Sequence, residues 1–393
     1  MLLAIVLAGL SASGDKPDFS LVPGVVINHI PASEQRYVGS PALAVLADGA
    51  YVASHDEFGP KSQYHSNAVS HIFRSDDKGL TWRETARIEG AFWSSLFVHR
   101  GALYLLGTHR EYGNILIRRS DDGGATWTVP RDADSGLIAQ GEYHCAPMPV
   151  IEHKGRLWRG MEDAADGDKW GHRFRAMMMS VKTEADLLKA KSWRFSNCLA
   201  RNPEWLGGAF NAWLEGNAVV TPKGDIVDIL RVDITPKIKT EHAAIVRVSA
   251  KGRKASFDPD KDFIPFPGGS KKFAIRWDPQ TKKYWSLVNY IPEKHKTGRP
   301  ASTRNTLALA SSPDLRAWTI QCVLLYHPDV EKHGFQYVDW LFESGDIIAV
   351  CRTAFDDGLG GAHNMHDANF LTFHRFKNFR TLTLDDSVPG WRD

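Results

Sequence analysis

Residues 75–82 read "SDDKGLTW" and residues 120–127 read "SDDGGATW". Two eight-residue stretches this alike in one chain point to an internal repeat, and a repeat constrains the architecture more than any single residue does. The chemistry of the unit is that of a turn. The Asp76 and Asp77 side chains can accept hydrogen bonds from backbone amides, and Gly79 supplies a backbone conformation that a Cβ would penalise. Thr81 and Trp82 open the next extended run, with Trp82 as a large apolar plug. Strand-like segments precede both copies, "AVSHIFR" (68–74) and "NILIRR" (114–119). The unit is therefore strand, Asp/Gly turn, Trp-led strand.

Weaker copies follow along the chain. "TLALASSPDLRAW" (306–318) keeps the strand, the turn and the Trp but has no Gly, and "AIVRVSAKGRKASF" (244–257) keeps a Gly turn and ends on an aromatic. "RAMMMSVKTEADLLKAKSW" (175–193) carries an insertion, and "ANFLTFHRFKNF" (368–379) is a strand with no turn motif after it. A hairpin-like segment precedes each copy: 41–54, 94–108, 146–160, 217–231, 272–290 and 337–352. Six apolar–turn–apolar patterns with almost no helical period between them predict an all-β chain. Four-stranded sheets arranged radially close such a repeat with only short, protected edges. The expected fold is a six-bladed β-propeller forming one domain over 14–393, with "GVVIN" (24–28) pairing into the last blade.

Composition narrows the partners. Lys and Arg total 48 against 46 acidic residues, a net charge of +2 with no basic run, which argues against nucleic acid. Thirteen Trp suit stacking on sugar rings, and equally suit plugging a repeated core. The opening "MLLAIVLAGLSAS" (1–13) is a short apolar run ending in small residues, read as a secretory signal. It is too short to span a bilayer, and no later segment is long and apolar enough. A secreted or periplasmic protein without stable membrane insertion is expected. The cysteines, Cys145, Cys198, Cys322 and Cys351, have no CxxC spacing that would suggest zinc. "GGAHNMHDANF" (360–370) places His363, His366 and Asp367 on a loop without a third fixed ligand, so no metal and no cofactor is expected.

The S-x-D-x-G-x-T-W unit at 75–82 and 120–127 resembles the Asp box of the sialidase superfamily. The resemblance implies a structural role for the box on blade rims and, for the chain, a glycosidase acting on a terminal sugar of a glycan. Its chemistry is a Tyr–Glu nucleophile pair, an Asp acid/base and three arginines gripping a substrate carboxylate. By order and blade position the matches are Glu215 in "NAWLEGNAVV", Arg231 ending "DIVDILR", Arg304 in "TRNTLALASS" and Tyr337 in "HGFQYVDWLF". A phenol, with a reference pKa of about 10, is a weak nucleophile until a neighbouring carboxylate takes its proton. Sialidases are the tyrosine exception among retaining glycosidases. Glu215 and Tyr337 should therefore meet within hydrogen-bonding reach.

Two departures shape the expected substrate. Gly39, Ser40 and Pro41 stand where the family has Arg-Ile-Pro, so the first guanidinium is missing, and Arg36 lies upstream. The acid is sought in the loop "SHDEFGPKSQYHSN" (54–67), which offers Asp56 and Glu57 together with His55 and His65. His144 in "YHCAPMP", His363 and His366 are further candidates to contact substrate. An acidic terminal sugar other than ordinary sialic acid is expected, or a neutral one. Two other readings stay open: a His/Tyr-dependent lyase or glycosidase acting on uronate-containing glycans, and a non-catalytic glycan-binding propeller.

Overall fold

A computed structural model describes residues 16–392 except 236 and 297; the apolar run at 1–13 lies outside the described residues. The two copies of the repeat fold alike. Ser75 Oγ donates to Asp77 and accepts the Gly79 amide, while Asp77 accepts the Thr81 amide (2.9 Å) and hydroxyl (2.6 Å). Ser120, Asp122, Gly124 and Thr126 repeat this set. In each copy the Trp indole N–H donates to the turn glycine's carbonyl, Trp82 to Gly79 and Trp127 to Gly124. The turn is held by the second aspartate alone; Asp76 instead faces outward to Arg74 and Arg83. At 312–318 the same turn survives without glycine because Leu315 adopts φ +70, and Trp318 donates to its carbonyl.

These turns join neighbouring sheets. Trp82 packs against Phe373 at a ring separation of 5.6 Å. Gly79 has φ +90, and a Cβ there would come within 2.3 Å of the Phe373 ring, so position 79 requires glycine.

The strands form antiparallel sheets in chain order. The first runs Tyr37–Val38, Tyr51–Phe58, Val69–Ser75, Arg83–Glu89, with Ala42–Val45 also paired to Tyr51–Phe58. A third sheet runs Phe210–Val220, Ile226–Ile234, His242–Val248, Ala255–Ser256, with Phe263–Pro265 at its side. A fourth runs Ala274–Asp278, Lys283–Val288, Thr306–Ser312, Thr319–Tyr326. The last runs Gly334–Glu343, Asp346–Ala354, Phe370–Phe376 and finally Val25–His29, so the chain's first strand completes its last sheet.

The second sheet differs from the regular four-stranded unit. It has eight strands, because Leu137–His144 pairs with Gly113–Ser120 on one side and with Arg156–Asp163 on the other. Phe92–His99 and Ala102–Thr108 lie beyond the former, Arg175–Lys182 and Trp193–Phe195 beyond the latter. Leu137–His144 pairs with Gly113–Ser120 along its length through two register shifts, and with Arg156–Asp163 only at Tyr143 and His144. The described residues contain only two short α-helical turns, Trp205–Gly208 and Pro259–Asp262, and the architecture is all-β and propeller-like. No helix among them is long and apolar enough to cross a membrane. All four cysteines are free thiols.

Replacing Asp122 by alanine removes four hydrogen bonds of one turn. The expected loss is about 1–2 kcal/mol, read as a lower denaturant midpoint. An unchanged midpoint would show that the repeated turn contributes nothing to stability.

Candidate active site

Three strands share one irregularity at the inner ends of their sheets. Each pairing register slips by a bulge: between Phe92 and Ser95, between Leu214 and Asn217, and between Gln336 and Asp339. Within each bulge one residue that is not glycine takes a left-handed backbone: Trp93 (φ +49), Glu215 (φ +59) and Tyr337 (φ +53). Such a residue costs about 1–2 kcal/mol, and bulges re-aim side chains. All three line one cavity of about 740 Å³.

Behind the bulges stand arginines in matching register. Arg231 lies opposite Leu214, the residue before Glu215, and Arg352 lies opposite Gln336, the residue before Tyr337. Arg231 donates to Glu215 Oε2 (3.0 Å) and to the Ser270 carbonyl (2.8 Å). Burial opposes ionisation of Glu215, but the Arg231 guanidinium outweighs it, and the carboxyl sits below its ordinary value. Arg304 reaches the Gln336 side chain (2.6 Å) and the Ala301 carbonyl (3.0 Å). Arg352 is spent on the carbonyl of His366 and approaches its ring. Neither Arg304 nor Arg352 forms an ion pair with a carboxylate among the described residues, although both are buried and line the cavity. Both guanidinium carbons lie close to the Tyr337 ring, at 5.6 and 4.8 Å from its centroid. Burial pushes Arg304 down to about 10 and lowers Arg352 as well.

Asp56 enters from the first sheet. The segment read as a loop at 54–67 begins inside the strand Tyr51–Phe58, so successive side chains point to opposite faces. Asp56 faces the cavity; His55 does not. The Asp56 carboxyl accepts the amides of Ser40 (2.6 Å) and Trp93 (2.6 Å). Burial drives it up to about 7 even against those amides and Arg352. A Cβ on Gly39 would lie 1.7 Å from Asp56 Oδ1, so the carboxyl fills the space beside residue 39. Arg36 turns away to Glu34 and Glu57.

The structure gathers Tyr337, Glu215, Asp56, Arg231, Arg304, His144 and His366 around one cavity. Three expected residues are elsewhere. His55 is sealed between Asn28, the Asp56 carbonyl and the stacked ring of His71, and burial pushes it down to about 3. His65 is exposed and pairs with Glu111, and His363 is exposed and stacks on Tyr37 at 5.5 Å. The expected contact between phenol and carboxylate is not formed: no hydrogen bond joins Tyr337 to Glu215, whose Oε2 accepts from Arg231.

Trp93 and Arg352 were not singled out from the sequence. Arg352 does carry a signal there: "GDIVDILR" (224–231) and "GDIIAVCR" (345–352) share their frame and both end on the cavity arginine. Trp93 has none, since a bulge leaves no one-residue signature.

No protein-family model matches the sequence, and no curated protein does. Solved structures do match. An alpha-L-arabinanase from Penicillium chrysogenum aligns with a TM-score of 0.56 over 91% of this chain and 98% of its own, at 16% identity. A Hadza microbial sialidase gives 0.60 over 92% of this chain and 69% of its own, at 14% identity. A GH93 alpha-L-arabinofuranosidase of Fusarium graminearum, solved with arabinobiose, gives 0.59 over 91% and 98%, at 13% identity. At such identities the likeness is one of fold, and the fold is the sialidase-like β-propeller.

A methyl group on Gly39 has no room unless Asp56 moves. Gly39→Ala is expected to cost about 1–3 kcal/mol by overpacking and to displace Asp56. Its thermal midpoint and its turnover should fall together; a variant as stable and active as the parent would contradict the tight packing at this pair.

Proposed function

We propose that the protein is an exported glycoside hydrolase that removes a terminal acidic sugar from glycans on a six-bladed propeller, with Tyr337 as nucleophile. In this reading the eight-stranded sheet counts as two blades joined by Leu137–His144. The observation that carries it is the pair of buried guanidiniums, Arg304 and Arg352, facing the Tyr337 ring with no carboxylate of their own. A buried, unpaired cation costs several kcal/mol, and an anionic substrate group offsets that cost by bidentate, charge-assisted hydrogen bonds. Arg352 supplies from the last sheet the third guanidinium that Gly39 cannot supply from the first.

The steps balance without a cofactor. The Tyr337 oxygen attacks the anomeric carbon while its proton passes to Glu215, whose depressed pKa keeps it ionised beforehand. The bond to the leaving oxygen breaks as Asp56 gives that oxygen its proton. A water then attacks the anomeric carbon, Asp56 takes the water's proton, and Glu215 returns a proton to Tyr337 as the sugar departs. The proton transfer requires Tyr337 and Glu215 to come within hydrogen-bonding reach when substrate binds.

Hydrolysis of aryl glycosides of N-acetylneuraminic acid, of other nonulosonic acids and of glucuronic acid tests the assignment. Tyr337→Phe and Glu215→Gln should each lower kcat by at least about a hundredfold, and Arg352→Met should lower kcat/KM by roughly 10- to 150-fold. Full activity in both Tyr337→Phe and Glu215→Gln would remove this mechanism, and an ultraviolet-absorbing unsaturated product from uronate polymers would replace hydrolysis by elimination.

The pH dependence has a defined sign. Asp56 works as an acid only while protonated, and its raised value of about 7 keeps the proton at and below neutral pH. Activity is therefore expected to fall about tenfold per pH unit above about 7. On the acid side it should persist into the ordinary carboxylate range, because Glu215 lies below it. A profile rising from pH 7 to pH 9 would exclude Asp56 as the acid.

A further inference from the structure

The arginines account for only part of the cavity lining. Tyr64, Phe92, Trp93 and His144, each ring adjoining the next, form with Trp170 an aromatic part of that lining. His144 closes the strand Leu137–His144, with its ring stacked on Phe174 at 4.2 Å and edge-on to Trp93 at 4.5 Å. Its Nδ1 bonds Glu162 Oε2 at 2.8 Å. Glu162 is wholly buried, and its other oxygen accepts the Gly216 amide (3.1 Å), the peptide next to the Glu215 bulge. The Nε2 of His144 has no hydrogen-bond partner among the described residues, yet it is not sealed from solvent.

A histidine needed only for packing does not require orientation by a fully buried carboxylate, which is costly to desolvate. Such a carboxylate fixes the ring tautomer: Nδ1–H is given to Glu162, and Nε2 is left with a lone pair directed outward. The geometry points to His144 as a substrate-contacting, specificity-determining residue whose Nε2 accepts a hydrogen bond from a sugar hydroxyl at the aromatic part of the cavity. The substrate is thereby read twice, by its anion at Arg304 and Arg352 and by a hydroxyl at His144. This rests on the hydrolase reading above for the site, and on the Glu162–His144 pair for the role. No proton leaves the ring in this role, so Asp56 keeps the acid step.

The test pairs variants with substrate analogues. Probes are the aryl glycosides of N-acetylneuraminic acid, of other nonulosonic acids and of glucuronic acid, each with its monodeoxy analogues lacking one hydroxyl at a time. His144→Phe should lower kcat/KM for the parent substrate by about 10- to 100-fold. For one deoxy analogue, already poor for the wild-type protein, the same substitution should change little. Glu162→Gln preserves volume and an acceptor for the Gly216 amide but places an amide N–H₂ against Nδ1, which reverses the tautomer and makes Nε2 a donor. It should reproduce the hydroxyl-selective loss with an intact fold by circular dichroism, which separates the role from simple misfolding of His144→Phe. Equal losses on every analogue in both variants would reduce His144 to a packing residue and overturn the inference. If the wild-type protein hydrolyses none of the panel, the hydrolase reading fails alone. Calorimetric binding of the free sugars and their deoxy analogues then carries the same comparison, and a protein that binds none of them refutes His144 as well.

Discussion

Three inner strands each accept a bulge that forces an ordinary side chain into left-handed backbone, and the cavity exists because of it. Trp93, Glu215 and Tyr337 occupy this position in three different sheets. A regular strand would send neighbouring side chains alternately up and down the sheet face; the slipped register aims one of them along the cavity instead. The strain of about 1–2 kcal/mol each is met by buried polar groups that capture the backbone beside the bulge. Asp56 takes the Trp93 amide, Glu162 takes the Gly216 amide, and Lys272 donates to the Val338 carbonyl at 2.7 Å. Each of these anchors lies in the chain before the bulge it holds or in an adjoining sheet, so the cavity is stitched together across sheet boundaries.

The anchors are themselves expensive. Lys272 is almost wholly buried with a single carbonyl partner, and burial pulls its ammonium down to about 8. Asp56 is driven up to about 7 by the same desolvation. A group with displaced proton affinity at a cavity marks a place where a structure gives up stability for chemistry, and of these two Asp56 lines the cavity. Here the marking is double, since Asp56 both holds the Trp93 bulge and supplies the acid of the proposed reaction.

Much of this was legible in the sequence, and the remainder fails for identifiable reasons. The pair of turns at 75–82 and 120–127 announces the repeated sheet because its hydrogen bonds are local, running from Ser75 to Trp82 and from Ser120 to Trp127. Glu215, Arg231, Arg304 and Tyr337 are legible from chain order, because a propeller lays its sheets down in sequence. Arg352 was legible in the shared frame of "GDIVDILR" and "GDIIAVCR", which only a comparison between the third and last sheets brings out. The separation of His55 from Asp56 turns on whether residues 54–58 are loop or strand, and the two readings put opposite side chains in the cavity. Neither Trp93 nor the fusion of strands through Leu137–His144 is local in origin, since both depend on partners that the chain supplies far away.

The arginine arrangement is set by what the space beside Asp56 allows. An arginine at position 39 and a carboxyl at Asp56 compete for the same space, for even a methyl at 39 would stand 1.7 Å from Asp56 Oδ1. With glycine there, the carboxyl draws in against the Ser40 and Trp93 amides, and the burial that raises its pKa follows from that retreat. The equivalent of Arg231 two sheets further along the chain, in the last sheet, is Arg352. A guanidinium delivered from there lies 4.8 Å from the centre of the Tyr337 ring. Under the proposed reaction an anion held by Arg304 and Arg352 would sit against the nucleophile's own ring, and the geometry of the grip would differ from one anchored in the first sheet. That difference, more than the number of arginines, is what would set the accepted sugar.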